Sequence, residues 1–157
     1  MATNVEEREE GPPQDVAVEN AYRKAAAIGP VDVPVLGVDT VVCIGPQVYG
    51  KPADAECARA TLRALSGRRH TVIGGICLIE GGRPRAAAAS TAVDFRRLSG
   101  TLIEWYVESG EWRGRAGGYA IQGRGAALVT RIEGDYLNIV GLPVGKLLEL
   151  APWLVGT

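Results

Sequence analysis

Gly37-Val38-Asp39-Thr40 sets one carboxylate directly after the apolar run 35–38. A carboxylate just past a buried strand stands where open α/β sheets bind ligands. There it can hold a divalent cation through oxygen, or accept a proton from an attacking water. The plainer alternative is an aspartate that makes a strand-end turn. Gly50-Lys51-Pro52 is a second candidate. Gly50 lets backbone approach a ligand, Pro52 stiffens the turn, and the Lys51 ammonium neutralises phosphate as a point charge. Taken alone, that tripeptide fits a solvated turn lysine better. The third is the glycine-rich stretch 110–123, with Glu111, Arg113, Arg115 and Gln122. Guanidinium groups clamp phosphate oxygens in bidentate fashion, and a Gln amide reads a base edge with a paired donor and acceptor. A flexible surface loop is the alternative there.

Those residues need elements to aim them. Residues 1–14 are polar and carry Gly11-Pro12-Pro13, which reads as a loop. Val16, Ala17, Val18, Ala21, Tyr22, Ala25 and Ala26 then follow helical spacing, with Asp15 as the expected N-cap and Gly29-Pro30 as the stop. Residues 31–42 are β-rich, and 35–38 are apolar throughout, as in a buried strand. Val48-Tyr49 reads as a short strand. Asp54 caps a helix over 55–65, which Ser66-Gly67 ends. Residues 70–79 and 84–95 read as strands joined by a hairpin turn at Glu80-Gly81-Gly82-Arg83. A helix follows over 99–109. Residues 129–133 and 136–140 read as a second hairpin across Gly134-Asp135, and 143–150 as a terminal helix. Mixed strands and helices argue an α/β or α+β fold in a single domain over 1–157.

The chain has 157 residues, 46% hydrophobic and 22% charged. That is one globular domain with a core. A formal net charge of −1 gives no field to hold nucleic acid or an anionic membrane. No apolar run reaches a membrane span, and the acidic start has no signal-peptide core, so a cytoplasmic location is expected. Cys43, Cys57 and Cys77 are widely spaced and His70 is the only histidine. A structural zinc site takes about four such ligands, so reduced, mostly buried cysteines are the better reading. His70 reads as structural, and the three tryptophans are not spaced as a nucleic-acid stacking platform.

In order along the chain stand Val35-Leu-Gly-Val-Asp-Thr-Val-Val42, Gly50-Lys-Pro52, Leu65-Ser-Gly-Arg68 with His70, Ser109-Gly-Glu111, Ala116-Gly-Gly-Tyr-Ala-Ile-Gln-Gly123, and Gly134-Asp-Tyr136 through Asn138-Ile-Val-Gly-Leu-Pro143. Any one of these is weak, but together and in order they are specific, and they cover nearly the whole chain. So read, the chain resembles the Maf family of nucleoside triphosphate pyrophosphatases. The resemblance implies an α/β fold, a Maf/ITPase-like mixed sheet flanked by helices. It implies hydrolysis of dTTP or UTP to the monophosphate and pyrophosphate, a divalent cation (Mg2+ or Mn2+), and a homodimer. It also implies an association with inhibition of septum formation. Asp39 matches the family's proton acceptor, Lys51 a phosphate-binding lysine, and Lys24 another lysine directed into the cleft. Glu7 is similar to a carboxylate that holds metal together with Asp39. Thr40 and Gln122 match positions that mark the dTTP/UTP branch. Arg115 stands where a lysine is common, keeping the charge with different donor geometry.

Family members begin with an apolar strand leading into a Ser-x-x-Arg-Arg-type loop, and nothing before Glu7 matches it. The resemblance therefore implies that roughly thirty residues are absent, at typical element lengths. An unpaired sheet edge and poor solubility are expected from that loss. It also motivates an alternative function: a catalytically impaired, nucleotide-binding or cell-division regulatory member.

Overall fold

A computed structural model of the chain describes residues 4–156. Its strands are β1 (Val35–Ile44), β2 (Gln47–Tyr49), β3 (Arg69–Glu80), β4 (Arg83–Phe95) and β5 (Val129–Glu133). Its helices are α1 (Pro13–Ala26), α2 (Ala55–Leu65), α3 (Gly100–Glu108), α4 (Tyr136–Val140) and α5 (Val144–Leu150). The strands form one sheet in the order β2-β1-β3-β4-β5. The expected α/β architecture holds, and each pairing among the described strands is antiparallel. β2 pairs with β1 only at Val42, Cys43 and Ile44. The outer edge of β1 over 35–41 therefore has no strand neighbour among the described residues.

α1 lies almost against the sheet backbone. Ala17, Ala21 and Ala25 recur every four residues and are fully or nearly fully buried. Opposite them are Gly37 on β1 and Gly75 on β3. A Cβ on Gly37 would sit 1.9 Å from the Ala21 carbonyl oxygen, and one on Gly75 would sit 2.3 Å from that of Ala17. Small residues on both surfaces bring helix and sheet closer than ordinary side chains allow. Side chains of period two then separate two cores. Val41, Cys43 and Ile73 pack with Val16 and Ala17 under α1. Val42, Val72, Val93 and Phe95 pack on the opposite face with α2, α3 and the glycine-rich loop.

Several local expectations are corrected. α1 starts at Pro13, with Pro12 at the cap position. Proline is preorganised for the first helical position, so Asp15 instead sits in the first turn, favourable to the helix dipole. Asp39 is not at a strand end, because the β-branched run Thr40-Val41-Val42 carries β1 on to Ile44. The expected strand at 136–140 is helix α4. Asp135 caps it by accepting the Leu137 N–H at 2.8 Å, and the apolar Tyr136, Ile139 and Val140 follow the i, i+3, i+4 spacing of a helical turn. Residues 31–34, read as β-rich, precede β1, which runs from Val35 to Ile44; α2 spans 55–65 as expected, and Asp54 caps it through the Cys57 N–H at 2.8 Å. The Gly81-Gly82 turn joins β3 to β4. The three cysteines are free; Cys43 and Cys77 are buried and Cys57 is exposed. Among the described residues no helix is long and apolar enough to cross a membrane.

Candidate active site

Two adjoining clefts open along the outer edge of β1. The first, of about 240 Å³, is lined by Lys24, Asp39, Thr40, Lys51, Arg115 and Gln122 among others. The second, of about 390 Å³, shares Asp39, Thr40 and Lys51 and adds Glu7 and Asn20. Glu7, Lys24, Asp39, Thr40, Lys51, Arg115 and Gln122 thus meet in one place, whereas Glu111 and Arg113 line a separate pocket next to Arg115 and Gln122. Position along the chain explains how. Lys24 is in the last turn of α1, Asp39 and Thr40 are in mid-β1, and Lys51 follows β2. Glu7 lies on the segment before α1, and Arg115 and Gln122 flank the 3-10 turn Ala116–Gly118.

Asp39 is the buried centre, with 6% of its surface exposed. The Lys24 ammonium donates to Asp39 Oδ1 at 2.5 Å and stands 2.9 Å from Glu7 Oε1. Lys51 donates to the same Glu7 oxygen at 3.2 Å. Burial pushes the Asp39 carboxyl above its ordinary value; Lys24 works against that shift and the negative charge of Glu7 adds to it. Burial also opposes charge on Glu7, but Lys24 and Lys51 outweigh it and hold that carboxyl low. For Lys24, burial favours the neutral amine, yet Asp39 and Glu7 hold its pKa above the ordinary value. The result is a charged cluster centred on a buried carboxylate, Asp39, beside a lysine that its two carboxylate neighbours keep cationic.

The glycine-rich segment is fixed rather than loose. Gly117 has φ 70° and donates its N–H to the Gly50 carbonyl at 3.2 Å. A Cβ there would also come within 2.9 Å of Val42, so only glycine lets the loop lie on β1 beside the Gly50-Lys51-Pro52 turn. The Ala120 N–H donates to Tyr106 Oη at 2.9 Å. Glu111 accepts the Arg124 N–H at 3.0 Å. Tyr119 meets His70 Nε2 at 2.7 Å, and both rings pack edge-on with Phe95. His70 is 1% exposed, and burial lowers its pKa to about 4, against a small opposing pull from Asp94. His70 therefore supports the wall of the cleft from behind and does not face it, as its structural reading expects.

Some of the site was not foreseen. Tyr119, Ala120, Ile139, Val140 and Gly141 add an apolar wall to the first cleft. Asn20 adds a buried amide at 3% exposure. Its signal was in the sequence: an asparagine on the buried stripe of a helix, four residues from Val16 and from Lys24. Asparagine is a weak helix former, and a buried amide needs partners.

Known proteins are similar to this chain over most of its length. The family model described as "Maf-like protein" matches residues 1–152. A dTTP/UTP pyrophosphatase of Pyrococcus furiosus is 44% identical over 150 residues, covering 94% of this chain and 78% of its own. One from Symbiobacterium thermophilum is 45% identical over 141 residues, covering 88% and 72% respectively. One from Thermococcus gammatolerans is 45% identical over 154 residues, covering 96% and 83%. With residues 1–152 matched by the family model and relatives at 44–45% identity covering most of its length, the chain belongs to the Maf-like protein family.

Proposed function

We propose that the chain is a nucleoside triphosphate pyrophosphatase that converts dTTP or UTP to the monophosphate and pyrophosphate. One observation carries the reading. Lys24 ties Glu7 and Asp39 together in a cleft whose other walls carry Lys51, Arg115 and Gln122. Asp39 takes a proton from water as the water oxygen bonds to a phosphorus of the α–β anhydride. That anhydride bond breaks and pyrophosphate leaves. Burial raises the affinity of Asp39 for a proton, which brings a carboxylate closer to the range of a useful base. Lys24 orients its carboxylate, and Lys51 and Arg115 hold phosphate charge. Gln122 can pair its amide with the imide edge of thymine or uracil, with Thr40 nearby.

The residues present fit a divalent cation. Glu7 Oε1 and Asp39 Oδ1 converge on one ammonium, so both already face a position of positive charge. Among the described residues no group of three or more His, Cys, Asp or Glu could hold a metal. Mg2+ and Mn2+ suit a site of one or two carboxylates completed by substrate phosphates. Glu7 and Asp39 would hold the ion, which when bound supplies charge neutralisation at phosphate oxygens. Three free cysteines suit a reducing cytoplasm, where such substrates are found. The homodimer implied by the family is checked by light scattering on the purified chain.

The test is pyrophosphate release from dTTP, UTP, CTP and GTP with Mg2+ or Mn2+. Turnover of dTTP and UTP is expected, and Asp39→Asn should lower kcat by about 10²–10⁴-fold. Folded protein that releases no pyrophosphate from any of the four refutes the reading and favours a nucleotide-binding regulatory role.

A further inference from the structure

The charged cluster has an uncharged member that holds it together. Asn20 Oδ1 accepts the Arg8 N–H at 2.7 Å, and Asn20 Nδ2 donates to the Arg8 carbonyl at 3.0 Å. A side-chain amide thus pairs with both backbone groups of one residue, as a neighbouring strand would. Arg8 is next to Glu7, so this clamp fixes the stretch of chain that presents Glu7. The Asn20 amide nitrogen also faces Asp39 Oδ2 at 3.4 Å, a long hydrogen bond. That oxygen is the one Lys24 leaves unengaged, since Lys24 takes Oδ1.

Asn20 and Lys24 are four residues apart and therefore lie on one face of α1. The Gly37 and Gly75 contacts hold the adjoining Ala17-Ala21-Ala25 stripe of the helix against the sheet. Glu7 itself is held by ion pairs to Lys24 and Lys51, and the remaining tethers hold the segment at its rim. Arg8 pairs with Glu19 at 2.6 Å, and Arg23 donates to the Glu6 carbonyl at 3.0 Å, both with exposed or half-exposed groups. Such pairs contribute little in water. The buried amide is the contact that fixes the backbone of the segment, at Arg8.

We propose that Asn20 is a positioning residue that couples the Glu7 segment to Asp39, setting both carboxylates in one arrangement for the nucleotide. This rests on the pyrophosphatase reading for its kinetic consequences, but not for its structural one. Asn20→Leu has nearly the same size and removes the clamp and the donor to Asp39. Asn20→Asp keeps an acceptor for the Arg8 N–H while removing both donations.

Two readouts separate positioning from bulk stability. Amide hydrogen exchange, followed by NMR on the full chain, should show the Arg8 amide exchanging at least about tenfold faster in Asn20→Leu, with the Ile76 amide in β3 unchanged. Steady-state kinetics with dTTP, well below the melting temperature, should show kcat down about 10- to 100-fold in Asn20→Asp, as misplaced catalytic groups do. KM should stay within about threefold in that variant and rise further in Asn20→Leu, where the Glu7 segment is released as well. Should Asn20→Leu not fold, Asn20→Asp carries the test alone, through kcat and through exchange across residues 5–9. A folded variant with wild-type kcat and KM, or with the Arg8 amide as protected as before in Asn20→Leu, overturns the proposal. A wild type that turns over no nucleotide defeats the pyrophosphatase reading, while the exchange arm still decides the clamp.

Discussion

Gly37→Ala puts a single methyl group between β1 and α1. Its Cβ would lie 1.9 Å from the Ala21 carbonyl oxygen and 2.8 Å from the Ala25 nitrogen. Neither atom is at the end of a flexible side chain; both belong to the backbone of a helix held on the sheet by Ala17, Ala21 and Ala25. To regain ordinary contact, α1 must withdraw by roughly 1.5 Å, given optimal heavy-atom separations of about 3.5 Å. The Lys24–Asp39 contact, 2.5 Å in the native chain, then opens to about 4 Å, beyond hydrogen bonding. Overpacking of this kind costs about 1–3 kcal/mol. For a domain of this size that lowers Tm by about 2–12 °C, at about 2–4 °C per kcal/mol. A displacement of about 1 Å at reacting groups costs about 10²-fold in rate, so kcat on dTTP should fall by that factor even at temperatures where the variant is fully folded. Thermal melting and pyrophosphate release measure the two effects separately. Gly145→Ala in α5 is the control, because nothing lies within 4 Å of its Cβ position and it should gain about 0.5–1 kcal/mol. Gly37→Ala with wild-type Tm and kcat would show that α1 is not in tight register with β1, and the site geometry argued from that register would fail with it.

His70 should make stability pH-dependent. Its folded pKa, about 4, lies below the ordinary 6.5, so the unfolded chain binds the extra proton first. Stability is then complete above pH 6.5 and is lost as pH falls toward 4, by roughly 3 kcal/mol in all. Urea midpoints from pH 7 to 4 should flatten in His70→Asn relative to wild type, and parallel curves would contradict the assignment. Gln122→Glu replaces an amide donor with a second acceptor, which repels a pyrimidine carbonyl and suits an exocyclic amine. The kcat/KM ratio of UTP to CTP should fall by about 10- to 100-fold, the worth of about 1–3 kcal/mol of hydrogen bonding; an unchanged ratio would remove Gln122 from base recognition. Chelation of divalent metal should abolish pyrophosphate release without lowering Tm by more than a degree or two, because Lys24 and Lys51 together already balance Glu7 and Asp39 in the free protein. A large loss of Tm on chelation would mean a structural metal instead.

Much of the fold was legible where local chemistry and tertiary structure agree. Asp54 caps α2 because its short carboxylate reaches the Cys57 N–H, and that preference needs no partner element. The Gly81-Gly82 turn joins two long alternating runs in a register that its two-residue length fixes. The failures fall where tertiary contacts decide. Tyr136-Leu137-Asn138-Ile139-Val140 is β-rich by residue type, yet it is helix α4. Asn138 explains why: buried completely, it donates its amide to the Val72 and Ala89 carbonyls and to Thr91 Oγ1. Gly74 leaves the space for it, since a Cβ there would meet Asn138 Oδ1 at 2.0 Å. A helix seated on the sheet face through one amide cannot be read from residue type.

The site divides in the same way. Asp39, Lys51 and Gln122 were visible as residue types beside glycine and proline, and the ordered motifs brought Lys24, Glu7, Thr40 and Arg115 with them. Asp39 was misplaced to a strand end because its carboxylate interrupts an apolar run, and a charge in mid-strand is costly to bury without partners. Its partners come from elsewhere: Lys24 and Asn20 on α1, and through them Glu7. What makes a buried mid-strand carboxylate tolerable is therefore a helix pressed close enough to reach it, and that closeness comes from Gly37 and Gly75 facing alanines. Glycine weakens a strand by propensity, yet these two are the condition for a charged site inside a sheet. They put Asn20 and Lys24 within reach of opposite oxygens of Asp39, so the arrangement of the carboxylates follows from backbone packing before any ligand arrives.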